Sequence, residues 1–149
     1  MTNAEPVLFL CTGNYYRSRL AEHYFNHLAG LFGLPGRAES RGLRLNPANP
    51  GPISAETLRW LGERGIAVPE PVRHPLAVAE ADFARAGLVV AVKEAEHRPL
   101  LERHFPDRVG RVEFWHVHDI DCSPPEEALP ELAARVEGLV RRLSGRARS

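Results

Sequence analysis

Val7-Leu8-Phe9-Leu10 is an unbroken apolar run that passes directly into Cys11-Thr12-Gly13-Asn14-Tyr15-Tyr16-Arg17-Ser18. A short apolar run without alternation predicts a strand buried on both faces of a parallel sheet. Thr12-Gly13-Asn14 ends it in turn residues. Leu20, Ala21, Tyr24, Leu28 and Leu31 then recur at helical spacing, and Gly33 closes that helix. The first unit is therefore strand, tight loop, helix.

The same alternation continues outward. Arg37 to Ser40 reads as a second, weaker strand, and residues 42 to 53 are rich in Gly, Asn and Pro. A helix fits Ser54 to Arg64, with Ser54 as N-cap and Gly65 past its end. A short helix is expected at Ala79 to Arg85, a buried strand at Leu88 to Val92, a helix at Glu94 to His104, and a fourth strand at Arg111 to Val117. Ser123-Pro124-Pro125-Glu126 is a capping box that opens the last helix. Its stripe is Leu129, Leu132, Ala133, Val136, Val140 and Leu143, after which the tail is expected to fray. Strands alternating with helices predict one α/β domain over residues 1–149: three layers, α/β/α, around a four-stranded parallel sheet. Ligands of such sheets sit at the carboxyl ends of the strands, so loops 11–17 and 117–123 are the places to look for chemistry.

The whole-chain arithmetic agrees. With 149 residues, 44% hydrophobic and 26% charged, the chain is long enough to bury a core without staples. Nineteen Lys+Arg balance nineteen Asp+Glu, which leaves no surplus field for a nucleic-acid backbone. Lys93 is the only lysine; every other cation is arginine, the mark of a GC-rich coding sequence. No apolar run suits a membrane span, no secretory leader is evident, and two cysteines make no disulfide framework. A cytoplasmic protein without membrane or nucleic-acid partners, monomeric or weakly dimeric, is expected.

Cys11 and Arg17 stand in the pattern C-x5-R-S, between a strand and a helix. Five residues curled there can aim their N–H groups at one point, and the helix end adds its positive pole. Such a cradle binds an anion and favours the thiolate, the nucleophilic form of cysteine. Arg17 offers a fork for two phosphoryl oxygens. Gly13 permits a positive φ that would strain another residue. Asn14 can adopt the left-handed conformation, and its amide can tie the loop to a neighbour. Ser18 can donate to the sulfur of Cys11 when it leaves. Thr12, Gly13, Asn14, Tyr15, Tyr16, Arg17 and Ser18 are the candidate phosphate-binding residues.

On these residues the chain resembles the low-molecular-weight protein tyrosine phosphatase family, which includes the thioredoxin-coupled arsenate reductases. Val7-Leu8-Phe9-Leu10-Cys11-Thr12-Gly13-Asn14, Arg17-Ser18 and Ala21-Glu22 match its V-L-F-V-C-x-G-N-x-x-R-S-x-x-A-E. Weaker matches follow at Glu39 to Gly42, Leu58 to Ile66, Leu88 to Ala91 and Leu101 to Pro106. The resemblance implies phosphomonoester hydrolysis, of protein phosphotyrosine first, through a cysteinyl-phosphate, with no metal and no other cofactor. It implies that Ser40 bonds Asn14 as loop support. It also implies an aspartate general acid in a D-P pair before the last helix. The matching stretch is Val117-His118-Asp119-Ile120-Asp121-Cys122, in which Asp119 fits best, the Pro is missing, and Asp121 is the alternative.

Other departures bear on the substrate. Tyr16 replaces the second cysteine that many members carry before the arginine, so that redox protection is absent. Tyr15 matches none of the residues usual for tyrosine phosphatases, phosphoarginine phosphatases or arsenate reductases, and Ser18-Arg19 replaces S-P. Tyr15 and Tyr16 are candidates for the pocket wall; Tyr16 equally suits packing on the sheet. Arsenate reduction is the alternative activity, but it needs further thiols and only Cys122 is available. A phosphate-binding module without turnover is a second alternative. His116, His118, Asp119 and Asp121 lack the spacing of a metal hydrolase site and read as strand and loop polar residues. His23, His27, His74, His97 and His104 read as surface residues.

Overall fold

The computed structural model describes residues 5–35, 37–117 and 125–147. The strands β1 (Val7–Cys11), β2 (Ala38–Gly42), β3 (Leu88–Ala91) and β4 (Val112–Phe114) form one sheet in the order β2-β1-β3-β4. All three pairings are parallel, with Phe9 opposite Ser40 on one side and Val90 on the other. The helices are α1 (Arg17–Leu31), α2 (Ala55–Glu63), α3 (Glu80–Arg85), α4 (Glu94–His104) and α5 (Pro125–Ala147). A 3-10 turn, Pro106–Arg111, follows α4 where Pro106 cannot continue it.

Every residue of β1 is buried, because the strand is central and both its faces are covered. Val7, Phe9 and Cys11 join a core with Leu20 and Phe25 of α1, Leu61 of α2 and Leu132 and Val136 of α5. Leu8 and Leu10 point the other way, into a core with Phe83 of α3 and Leu101 of α4. This alternation builds the three layers. Phe9 is the pivot of the first core, with its ring centroid 6.0 Å from that of Phe25 and 5.8 Å from that of Trp115. Burying such a side chain stabilises the fold by about 1.5–3 kcal/mol.

Several sequence expectations shift. The stripe of α1 runs through Leu20, Ala21, Phe25 and Ala29, while Leu31 is 70% exposed. Tyr24 and Leu28 pack against the same core as expected; Leu31 lies three turns beyond Leu20, close to the same face, but it is the last residue of the helix, and its side chain is exposed there. β2 lies slightly later than expected, and β4 is short: after Phe114 single contacts continue, among them Trp115 N–H to the Ala91 carbonyl at 2.8 Å, the Lys93–His116 bridge and Val117 N–H to the Val92 carbonyl at 2.9 Å. Ser54 precedes α2 but makes no side-chain cap bond. α5 continues past Leu143 to Ala147. The capping box at Ser123 begins outside the described residues.

The sheet order positions the site. The chain leaves β1 toward β2 on one side and returns to β3 on the other, so β1 and β3 flank the point where strand order reverses. A crevice opens there at the carboxyl ends of the strands. Cys11 ends β1, and the start of α4 follows β3 closely into the same crevice.

Candidate active site

The loop after Cys11 is shaped by what its carbonyls bind. The Cys11 carbonyl accepts from Leu43 N–H at 2.9 Å and that of Thr12 from Arg44 N–H at 2.8 Å. The Asn14 carbonyl accepts from Arg19 Nη1 at 3.4 Å. The Tyr15 carbonyl accepts from Ser54 N–H at 3.0 Å, and that of Tyr16 from Leu20 N–H at 3.1 Å and Thr57 Oγ1 at 3.2 Å. With these carbonyls bonded to the surrounding segments, the loop N–H groups are not drawn off by the same partners. One of them, Asn14 N–H, donates to Cys11 Sγ at 3.3 Å.

Asn14 is the tie of the loop. Of the two residues that permit it, Asn14 carries the left-handed φ, at 51°, and Gly13 is not among the positive-φ residues. Asparagine tolerates that conformation because its short amide bonds locally. Its Nδ2 donates to Ser18 Oγ and Ser40 Oγ, both at 2.9 Å. Its Oδ1 accepts from Leu76 N–H and Arg73 Nη1, both at 3.0 Å. Ser40 bonds Glu22 at 2.5 Å, and Arg73 pairs with the same carboxylate at 3.0 Å. Ser18 Oγ, already accepting from Asn14, keeps its proton for Cys11 Sγ at 2.9 Å.

Arg19 and Arg73 close the support from below. Arg19 is fully buried and donates also to the carbonyls of Pro52 at 3.0 Å and Arg73 at 2.6 Å. Burial, and then the neighbouring Arg73 charge, pushes it down to about 10. The sequence shows Arg19 only as a departure from S-P. Arg73, in a proline-rich loop, carries no local signal at all.

A cavity of about 260 Å³ opens over Cys11. It is lined by Thr12, Gly13, Tyr15, Tyr16 and Arg17 of the loop, together with Arg44, Asn46, Asn49 and Glu96. Tyr16 does both things considered for it, lining the cavity while packing in the larger core. A larger cavity, about 400 Å³ beside Trp60 and Arg64, is lined by none of these residues. Asp119, Asp121, His118 and Cys122 lie outside the described residues. Among those described, no three His, Cys, Asp or Glu side chains group as a metal site, and His116 pairs with Glu94 at 3.4 Å.

Glu96 was not expected here. Its Oε2 accepts from the Thr12 hydroxyl and pairs with Arg17 Nη2 at 3.2 Å. His97, read from sequence as a surface residue, is instead fully buried, with Nε2 3.4 Å from the same oxygen. The His97 ring accepts the Lys93 N–H at Nδ1, which leaves its proton on Nε2, toward Glu96. The His97 contact, then the Thr12 hydroxyl and the Arg17 charge, hold the Glu96 carboxyl far below the carboxylate range against the opposing effect of burial. Burial holds His97 below its ordinary 6.5, and it does the same to His23 on α1. No local pattern marks Glu96 in the sequence. It reaches the site because α4 starts at the strand-order reversal.

These shifts set a direction for stability. His23, His97 and Glu96 all bind protons more readily in the unfolded chain, so stability rises with pH where they titrate. Thermal melts from pH 8 to pH 4 are expected to fall as pH drops below about 6.5, and again through the acid range as Glu96 protonates. A melting temperature that rises between pH 7 and pH 5 would contradict these assignments.

The sequence matches the family model described as low molecular weight phosphotyrosine protein phosphatase over residues 6–137. No curated protein sequence matches. Among solved structures, the low molecular weight protein tyrosine phosphatase from T. tengcongensis is 27% identical. The alignment covers 96% of this chain and 99% of that one, with a TM-score of 0.76. YfkJ from Bacillus subtilis is 23% identical over 97% and 98% of the two chains, with a TM-score of 0.83. The YwlE arginine phosphatase from Geobacillus stearothermophilus is 21% identical over 97% and 93%, with a TM-score of 0.72. At these identities the last two speak to the fold.

Proposed function

The chain belongs to the low molecular weight phosphotyrosine protein phosphatase family and is a cysteine-dependent phosphatase; from that premise we propose that it hydrolyses phosphomonoesters on protein side chains, phosphotyrosine first, with Cys11 as nucleophile. The carrying observation is the thiol of Cys11, 2% exposed, bonded by Ser18 Oγ at 2.9 Å beneath a cavity that Arg17 also lines.

The Cys11 thiolate attacks phosphorus in line, forming the S–P bond as the P–O bond breaks. The leaving oxygen takes its proton from Asp119. The Asp119 carboxylate then removes a proton from water, which attacks phosphorus and releases inorganic phosphate as the S–P bond breaks. Ser18 stabilises the departing thiolate. Loop N–H groups and Arg17 hold the three equatorial oxygens, whose charge spreads in the transition state. Splitting the displacement into two steps is the gain from covalent catalysis. The aromatic walls of Tyr15 and Tyr16 suit an aryl phosphate.

An acid is required near the mouth of the site. Asp119 suits the role because Val117, two residues before it, is hydrogen-bonded to Val92 at the carboxyl edge of the sheet. Hydrolysis of para-nitrophenyl phosphate that survives EDTA supports the reading; its absence in reduced enzyme sinks it. Asp119→Ala is expected to slow turnover about 10²–10⁴-fold, most for poor leaving groups. Should Asp121→Ala behave so instead, Asp121 is the acid.

A further inference from the structure

Glu96 brings a carboxylate into a site that binds anions. One of its oxygens, Oε2, takes all the contacts: the Thr12 hydroxyl, Arg17 Nη2 at 3.2 Å and His97 Nε2 at 3.4 Å. The other, Oε1, has no partner among the described residues. The side chain is 29% exposed and lines the same cavity as Cys11. It is anchored from behind by a buried imidazole, itself fixed by the Lys93 N–H. It is therefore placed and charged before any ligand arrives. Two guanidinium groups, Arg17 and Arg44, line the cavity together with this carboxylate.

A carboxylate in contact with the phosphate-holding arginine lowers the attraction for any anion bound there. The cost falls hardest on a dianion, because Coulomb repulsion scales with ligand charge. It falls least on a phosphoryl group that is singly charged or sits beside a substrate cation or N–H donor, which Oε1 is free to accept. Resting on the phosphatase reading above, we infer that Glu96 is a specificity-determining residue that weakens binding of free dianionic phosphate and favours phosphoryl groups whose charge the substrate offsets, a phosphotyrosine beside a basic side chain included. Product phosphate, which carries no such offset, is released the more readily.

The sign of one substitution decides this. Binding of inorganic phosphate at pH 7.5 is measured by calorimetry on wild type and Glu96→Gln. Gln keeps an acceptor for Thr12 and removes the charge. Affinity is expected to tighten about tenfold, the repulsion that a unit charge exerts on a dianion about 6 Å away even in water. Equal or weaker binding overturns the inference and makes Glu96 a positioning partner of Arg17. Glu96→Met, neutral and of similar length, serves as the second variant should Gln destabilise the fold, and the same sign is required of it. In kinetics the KM for para-nitrophenyl phosphate is expected to fall alongside. The binding arm needs no turnover, so an inactive wild type would overturn the phosphatase reading without touching this result.

Discussion

Cys11→Ser binds inorganic phosphate and hydrolyses nothing measurable: that is the largest effect expected. The thiol at the end of β1 is the only group of the loop that can form a covalent bond to phosphorus and leave again. A serine hydroxyl at the same place stays protonated at neutral pH and lacks a base to activate it. Loss of more than about 10⁴-fold in kcat is expected, comparable to removal of a nucleophile in other covalent enzymes. The cradle itself is held by other residues. The carbonyls of Thr12, Tyr15 and Tyr16 remain tied to Arg44, Ser54 and Thr57, and Asn14 keeps Ser40 and Arg73. Phosphate affinity by calorimetry therefore stays within a few-fold of wild type. Residual turnover near wild-type level would remove Cys11 from the mechanism, and lost phosphate binding would mean that the sulfur, rather than the backbone, organises the loop.

Arg17→Lys is the second. Arginine presents a planar fork that meets two oxygens at once and keeps a third direction for Glu96, which it contacts at 3.2 Å through Nη2. Lysine is a single point charge and cannot serve Glu96 and two equatorial oxygens together. The loss falls on the transition state, where charge spreads over those oxygens, so kcat is expected to drop about 10²–10³-fold. Thermal stability is expected to change little, because the ammonium keeps a charge beside Glu96. Steady-state kinetics with para-nitrophenyl phosphate and a melt on the same preparation check both. A loss below tenfold would mean that the loop amides carry the transition state without the fork.

The site was partly legible in the sequence for a local reason. Cys11, Asn14, Arg17 and Ser18 lie within one strand–loop–helix unit, and their chemistry depends on spacings inside it. Ser40 was reached through the resemblance, and its bond to Asn14 at 2.9 Å is present. The sequence misplaced finer features wherever two local solutions compete. Gly13 and Asn14 both permit a left-handed turn, and packing selected Asn14. Leu31 and Phe25 both suit a helix stripe, but Phe25 lies mid-helix against the core and Leu31 is the exposed last residue of the helix.

By itself the sequence determined the alternation of buried strands and helices, hence the parallel sheet, and the C-x5-R-S loop at its carboxyl edge. Those depend on hydrophobic period and turn chemistry, which act over a few residues. Only the tertiary structure decided which distant groups meet that loop. Arg73 reaches Asn14 across 59 positions and Glu96 reaches Arg17 across 79. Such contacts follow from the strand order, which sets the start of α4 beside the end of β1, and no short stretch of residues encodes that neighbourhood.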